Sequence, residues 1–579
     1  PEGLDIYEAW VRPDGPGWWS FRIEAWSDPW GTWHHNAQIK LPAGIDNDLV
    51  RREGADLLAR TINQLGRRTK KATALAKYAA VFTGEDQAII NLLADEAFWE
   101  LIAANPLREL LTPSADFPLW VDRRTALASA WYEMFPRSQG AHQGDDGAWI
   151  SGTFDSAAER LEAIAAMGFD VVYLPPIHPI GSQFKKGKNN SLTPEPDDPG
   201  SPWAIGSASG GHDAIHPDLG DFAAFDRFVA QAKANGLEVA LDFALQASPD
   251  HPWVTEHPEW FSTRLDGTIA YAENPPKKYQ DIYPINFDND PEGIYNECLR
   301  LVELWVSHGV TIFRVDNPHT KPVQFWAWLL DQMRQRHPEV LFLAEAFTRP
   351  EMMQALGKVG YHQSYTYFTW RTEKWELETY VTELANDTAA YYRPNFFVNT
   401  PDINPYYLQN GNPAGFAIRA ILGATLSPSW GVYSGFELFE HAPVPGREEY
   451  LHSEKYEYRP RDYAATPNLI ELITILNQTR HDHRALQQLR SIHFHTVDND
   501  QIIAYSKRDG DDRVIVVTSL DPVHYQQGLL WLDFGALGLP GRDRCRVVDQ
   551  LTGSTWTWGG ANHVSLSPDQ PAHILVVVD

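Results

Sequence analysis

Thr-Ile-Phe-Arg-Val-Asp at 311–316, followed by Leu-Phe-Leu-Ala-Glu at 341–345, decides how this chain reads. Each segment has the length and apolar content of a short buried strand, and each ends on a carboxylate. Strand residues two apart face the same side, so Arg314 and Asp316 share a face, and a fixed cation there keeps the aspartate ionised. One acidic residue at a strand end more often caps the strand or starts a helix. Two at neighbouring strand ends, one anionic and one free to hold a proton, match what a retaining glycosidase needs.

Working outward, the chain from about 129 alternates strand, loop and helix. Strands are expected at 128–135, 170–174, 238–243, 311–315, 340–344, 364–368, 395–398 and 430–433, with helices at 154–167, 222–235, 291–308 and 322–337. Repeated βα units in this number predict an α/β fold, a parallel (β/α)8 TIM barrel whose active site lies at the strand C-termini. Upstream, 1–42 reads as β, with a turn-rich Trp-Gly-Thr-Trp at 30–33. Leu49, Leu57, Leu58, Ile62 and Leu65 then recur at helical spacing. Downstream of about 490, period-two alternation as in 513–519 and 573–578 predicts antiparallel strands.

The expected division is therefore as follows. An N-terminal β-sandwich domain spans 1–42 and 112–127, with its first part absent, and a helical insert covers 43–111. The catalytic barrel covers 128–485, with loop insertions at 180–212 and 247–290, and a C-terminal β-domain covers 486–579.

Composition narrows the function classes. The 579 residues carry a net charge of −28, which argues against nucleic-acid or acidic-lipid binding. No apolar run approaches the roughly 20 residues of a membrane span, and no secretory signal opens the chain. Two cysteines, Cys298 and Cys545, are too few for a disulfide framework or a zinc site, which fits a cytoplasmic protein. Aromatic residues make up 12%, enough to stack on sugars, although many belong to cores.

Two more strand-end acids extend the pattern: Asp242 closes Glu-Val-Ala-Leu-Asp at 238–242, and Asp402 follows Asn-Thr-Pro at 399–401. With four such acids the chain resembles the α-amylase superfamily, glycoside hydrolase family 13, over roughly 129–579. That resemblance implies Asp316 as nucleophile, Glu345 as general acid/base and Asp402 as transition-state stabiliser, with Arg314 beside the nucleophile. The departures matter too. Gln246-Ala247 and Thr400-Pro401 stand where amylases carry Asn-His and Asn-His, so neither the usual sugar-binding histidines nor a structural calcium is expected.

These departures are similar to one branch, the α-1,4-glucan:maltose-1-phosphate maltosyltransferases. The motifs are Leu-Pro-Pro-Ile-His-Pro-Ile-Gly at 174–181, Lys-Lys-Gly-Lys-Asn-Asn at 185–190, Asp-Phe-Ala-Leu-Gln at 242–246, Phe-Arg-Val-Asp-Asn-Pro-His-Thr-Lys-Pro at 313–322, Ala-Glu-Ala-Phe-Thr-Arg-Pro at 344–350 and Asn-Thr-Pro-Asp-Ile at 399–403. The resemblance implies a glycosyltransferase that moves maltosyl units from α-maltose 1-phosphate to α-1,4-glucans. It implies Lys186, Gln246, Asp281, Asn317, Lys455 and Tyr456 as contacts to the sugar donor, no metal or organic cofactor, and a homodimer. Asn274 and Tyr279 are further candidates for the phosphate, and Asp242 for substrate binding. His178, His212 and His319 are pocket candidates, although lone histidines more often satisfy local packing. An α-glucan hydrolase on the same barrel and a catalytically dead carbohydrate-binding barrel are the competing readings.

Overall fold

The computed structural model describes residues 8–274 and 277–578. Among them, eight parallel strands close into a barrel: β1 (Ser129–Glu133), β2 (Val171–Leu174), β3 (Glu238–Phe243), β4 (Ile312–Asp316), β5 (Leu341–Glu345), β6 (Gln363–Tyr365), β7 (Pro394–Phe397) and β8 (Ser429–Tyr433). The spatial order follows the chain, and β8 pairs with β1 to seal the ring. Most of these strands are buried along their whole length, because side chains fill the interior on one side and helices cover the other. Trp131, Tyr173, Ile312, Leu343, Tyr365 and Phe397 form the inner cluster. The larger core lies between strands and helices, with Phe225, Trp305, Phe325 and Trp326 among its members.

The expected helices appear with ends shifted by a residue, except that 154–167 divides into Phe154–Ala158 and Leu161–Ala166. The insertions are not structureless. Gln246–Ala247 pairs with Tyr283–Pro284, and Ala272–Asn274 pairs with Lys277–Tyr279, so the second loop is a folded flap.

Beyond the barrel, two antiparallel sheets enclose a separate core. The six-stranded sheet includes Ile502–Asp509, Asp512–Ser519 and Ala572–Val577, and the three-stranded sheet is built on Gln526–Trp531 and Ala561–Leu566. Ile502, Val517, Leu530, Val564 and Leu575 fill the space between inward faces.

Residues up to Asp122 form a unit of their own. Gly17–Phe21 pairs with Phe117–Val121, and Glu24–Ser27 pairs with Glu109–Pro113. Between them run helices Pro29–Ala43, Asn47–Leu65, Lys70–Ala76, Asp86–Leu93 and Glu96–Ala103. The helical region thus begins at 29 rather than 43, and Trp-Gly-Thr-Trp is a first helical turn rather than a loop. Asp28 caps it through Gly31 N at 3.0 Å, and Pro29 occupies the first position, where its missing N–H has no cost. Trp30, Trp33, Ala37 and Leu41 then fall on one buried face.

Candidate active site

The strand ends determine the site. β4 and β5 run in parallel register with Asp316 directly opposite Glu345, and Arg314 opposite Asp242 of β3. Arg314 is 3% exposed and gathers three carboxylates: Asp242 at 2.9 Å, Asp316 at 3.1 Å and Glu345 at 2.6 Å. Tyr173 and Trp203 donate to the same oxygen of Asp242, at 2.6 and 3.1 Å. A buried arginine with this many acceptors is a fixed structural charge, and its planar fork sets the spacing of the acids it holds.

That spacing gives the carboxyls different protonation. Burial and the negative neighbours Asp316 and Asp402 push Glu345 well above the usual carboxylate range, against the pull of Arg314. Burial acts the same way on Asp316, but Arg314, Lys321 and a hydrogen bond from Glu345 outweigh it and hold Asp316 low. Asp242 is raised by burial to about 6, moderated by Arg314. The pair at 316 and 345 is thus an anion beside a neutral acid.

Both open onto a cavity of about 940 Å³. Its walls also carry Lys186, Gln246, Tyr279, Asp281, Asn317, His319, Asp402, Lys455 and Tyr456, so most of the expected site residues meet there. Asp402 stands at the corner of the tight turn Thr400–Ile403, closed by reciprocal backbone bonds of 3.1 and 3.0 Å, and pairs with Lys455 Nζ at 2.8 Å. Lys455 also lies 4.8 Å from the centre of the Trp203 ring. Lys186 donates to Gln280 at 2.9 Å; burial lowers its pKa, and Asp281 opposes that. Gln246 donates to the Trp203 carbonyl at 3.2 Å.

Other expected residues lie elsewhere. Asp242, with a fully buried side chain, sits beneath the cavity rather than on its wall, as does Arg314. Asp242 is closed off from the cavity and accepts from Arg314, so it supports the arginine rather than a substrate. His178 and His212, at either end of the first long loop, pack with His251, Trp253 and Trp305, where ring contacts and backbone carbonyls engage them. The backbone of Asn274 ends a flap strand, and its side chain lies outside the described residues.

Three contributors were missed. Glu133 ends β1 just as the other acids end their strands; it is 1% exposed, and burial pushes it well above the usual range. Its signal, Ser-Ala-Trp-Tyr-Glu, was in plain view. Lys321 and Trp203 also line the cavity, but only the folded loops show it.

Known proteins place this architecture. The family model for α-1,4-glucan:maltose-1-phosphate maltosyltransferase, domain N/S, matches residues 1–123, and the model for the C-terminal domain of the same family, GLGE, matches 494–577. The chain is 53% identical to α-1,4-glucan:maltose-1-phosphate maltosyltransferase 2 of Streptomyces coelicolor, across 99% of this chain and 86% of that protein. It is 53% identical to the maltosyltransferase of Mycobacterium tuberculosis, across 98% and 83%. Among solved structures, a maltogenic α-amylase, AmyB, from Thermotoga neapolitana aligns with TM-score 0.63 at 19% identity, covering 79% of this chain and 100% of that one. An α-amylase from Lactobacillus plantarum aligns with TM-score 0.60, also at 19%, covering 79% and 100%. At that identity the amylases speak for the fold alone, whereas the maltosyltransferases match nearly the whole chain. The chain belongs to the α-1,4-glucan:maltose-1-phosphate maltosyltransferase family.

Proposed function

We propose that the protein transfers maltosyl units from α-maltose 1-phosphate to the non-reducing end of α-1,4-glucans, releasing phosphate and retaining the α configuration. The observation that carries this is the in-register pair Asp316 and Glu345, tied to one arginine on the floor of a cavity that also holds Asp402, Lys186 and Lys455.

In the first step Asp316 attacks the anomeric carbon while the bond to phosphate breaks, leaving a β-maltosyl ester. Glu345 gives its proton to the departing phosphate oxygen. In the second step Glu345, now anionic, takes the proton of the glucan 4-hydroxyl, whose oxygen displaces Asp316. Asp316 and Glu345 stand in register on adjacent strands and both bond Arg314, an arrangement that suits double displacement. Lys186, Asn317, Lys455, Tyr456 and Tyr279 supply donors for phosphate and sugar hydroxyls, with Gln246 and Asp281 beside them.

The protein works as a homodimer in the cytoplasm. Exposed Trp18, Phe21 and Phe117 on the N-terminal strands support the first reading, and a chain with two cysteines, too few for a disulfide framework, supports the second. The N-terminal strands form a β-domain interrupted by the helical insert.

The test is incubation with α-maltose 1-phosphate and a maltooligosaccharide. Phosphate release that requires the glucan, with products longer by two glucoses, is expected. Reducing sugar set free from starch without any need for phosphate would instead mark a hydrolase.

A further inference from the structure

Two of the lysines on the catalytic cavity sit against acids of the surrounding loops: Lys455 pairs with Asp402, and Lys186 lies by Asp281. Lys321 differs. Among the described residues its ammonium makes no ion pair, and instead donates two long bonds, each 3.4 Å, to the backbone carbonyls of Asp316 and Asn317. These carbonyls bracket the point where the chain leaves β4.

The turn there is built with care. Asn317 is left-handed, with φ 42° and ψ 54°, a conformation that asparagine adopts more readily than most residues. Thr320 closes the turn, its N–H and hydroxyl both donating to the Asn317 carbonyl at 3.1 and 2.8 Å. Trp326 Nε1 fixes the Pro318 carbonyl at 2.8 Å. Lys321 is thus anchored five residues after Asp316 and folds back beneath it, with one side on the cavity.

We propose that Lys321 is a positioning residue for the nucleophile: its ammonium clamps the carbonyls of Asp316 and Asn317, holds the turn that aims the Asp316 carboxylate, and places a positive charge beside it. The proposal rests on the reading of Asp316 as nucleophile. The charges facing Lys321 agree with it. Burial lowers the pKa of Lys321, and Asp316 on β4, then Glu345 on β5 and Asp242 on β3, oppose it; Cys298 on the helix Pro291–Ser307 also faces it, its thiol pushed up by burial, and His319 of the same turn is lowered by burial and by Lys321. Asp316 itself faces Arg314, Lys321, Glu345 and Lys455.

The experiment measures formation of the maltosyl-enzyme from two sugar donors, α-maltose 1-phosphate and α-maltosyl fluoride, in wild type, Lys321→Met, Lys321→Gln and Lys321→Arg. Lys321→Met is expected to slow this step about 100-fold with both sugar donors, the usual scale for removing one fixed charge or hydrogen-bond donor. The acid limb of kcat/KM moves to higher pH, and Lys321→Arg restores most of the rate. If Lys321→Met does not fold, Lys321→Gln carries the test. It keeps an N–H for the carbonyls but not the charge, so its acid limb must still move up. A loss confined to the phosphate donor would make Lys321 a leaving-group contact and overturn the proposal. An unmoved acid limb, or Lys321→Arg no faster than Lys321→Met, would overturn it as well. Normal turnover by Asp316→Ala would instead sink the nucleophile reading, independently of these variants.

Discussion

Asp316 and Glu345 stand opposite each other at the ends of adjacent parallel strands, and one guanidinium, that of Arg314, bonds both. Their unlike protonation follows from this geometry. The aspartate receives most of the benefit of nearby cations, while the glutamate meets burial and two negative neighbours.

The two carboxyls should respond differently to substitution. Asp316→Ala is expected to remove turnover with any sugar donor. Glu345→Gln should cost about 100- to 10,000-fold in glucan transfer, the usual range for a general acid/base. It should cost less in maltosyl-enzyme formation, because phosphate leaves with less help. Single-turnover kinetics separate the two steps.

Arg314 is predicted to matter for stability as much as for rate. Arg314→Met leaves three buried carboxyls without their cation, and breaking such a cluster costs about 3–5 kcal/mol. Glu345 and Asp242 already lie above the ordinary carboxylate range, and without the arginine these two rise further and Asp316 rises with them. The penalty is therefore present at neutral pH and shrinks as the acids protonate on acidification. Thermal unfolding of variant and wild type at pH 5 and pH 8 should show the gap narrowing at the lower pH.

Lys455 and Asp402 should behave as one unit. Lys455→Ala is expected to raise KM for the sugar donor and Asp402→Asn to lower kcat, since the pair joins a cationic wall to the sugar-gripping carboxylate. In kcat/KM the double variant should lose less than the sum of the single losses, by about 0.5–3 kcal/mol, as contacting residues do. Strict additivity would show that the 2.8 Å pair plays no joint part in catalysis.

The buried histidine cluster of His178, His212 and His251 predicts acid sensitivity. Burial lowers His178 to about 4 and His251 to about 3, and lowers His212 well below its ordinary value. The unfolded histidines take up protons near pH 6.5 while the folded ones resist. Stability is therefore full above that pH and is lost as pH falls toward the folded values, at up to about 1.4 kcal/mol per pH unit for each histidine. Denaturant unfolding between pH 7 and 5 should show this slope, and His178→Gln should flatten it.

Much of the architecture was legible because its signals are local. Apolar runs ending on a carboxylate mark β4 and β5, one with a carboxylate next to its end marks β3, and the period-two strands at the C-terminus stand out equally well. The helix Pro29–Ala43 was not legible, because tryptophan, glycine and threonine suggest a turn. Its helical period shows only once the Asp28 cap and the buried faces of Trp30 and Trp33 are known. Glu133 carried the same strand-end signature as its partners and was read only as part of a strand. For His178 and His212 both a pocket and a packing role were open, and the structure shows packing, since sequence does not say which side of a loop faces inward.

By itself, then, the sequence determined the order and type of the elements and the acids at the strand ends, since both depend on neighbours within a few residues. Only the tertiary structure decided which acids meet. Closing the barrel sets Asp316 against Glu345 across a strand boundary, and folding the loops brings Lys186, Asp402 and Lys455 to one cavity. The neutral state of Glu345 belongs to that second level too, because burial and the field of other charges arise only when distant segments have packed together.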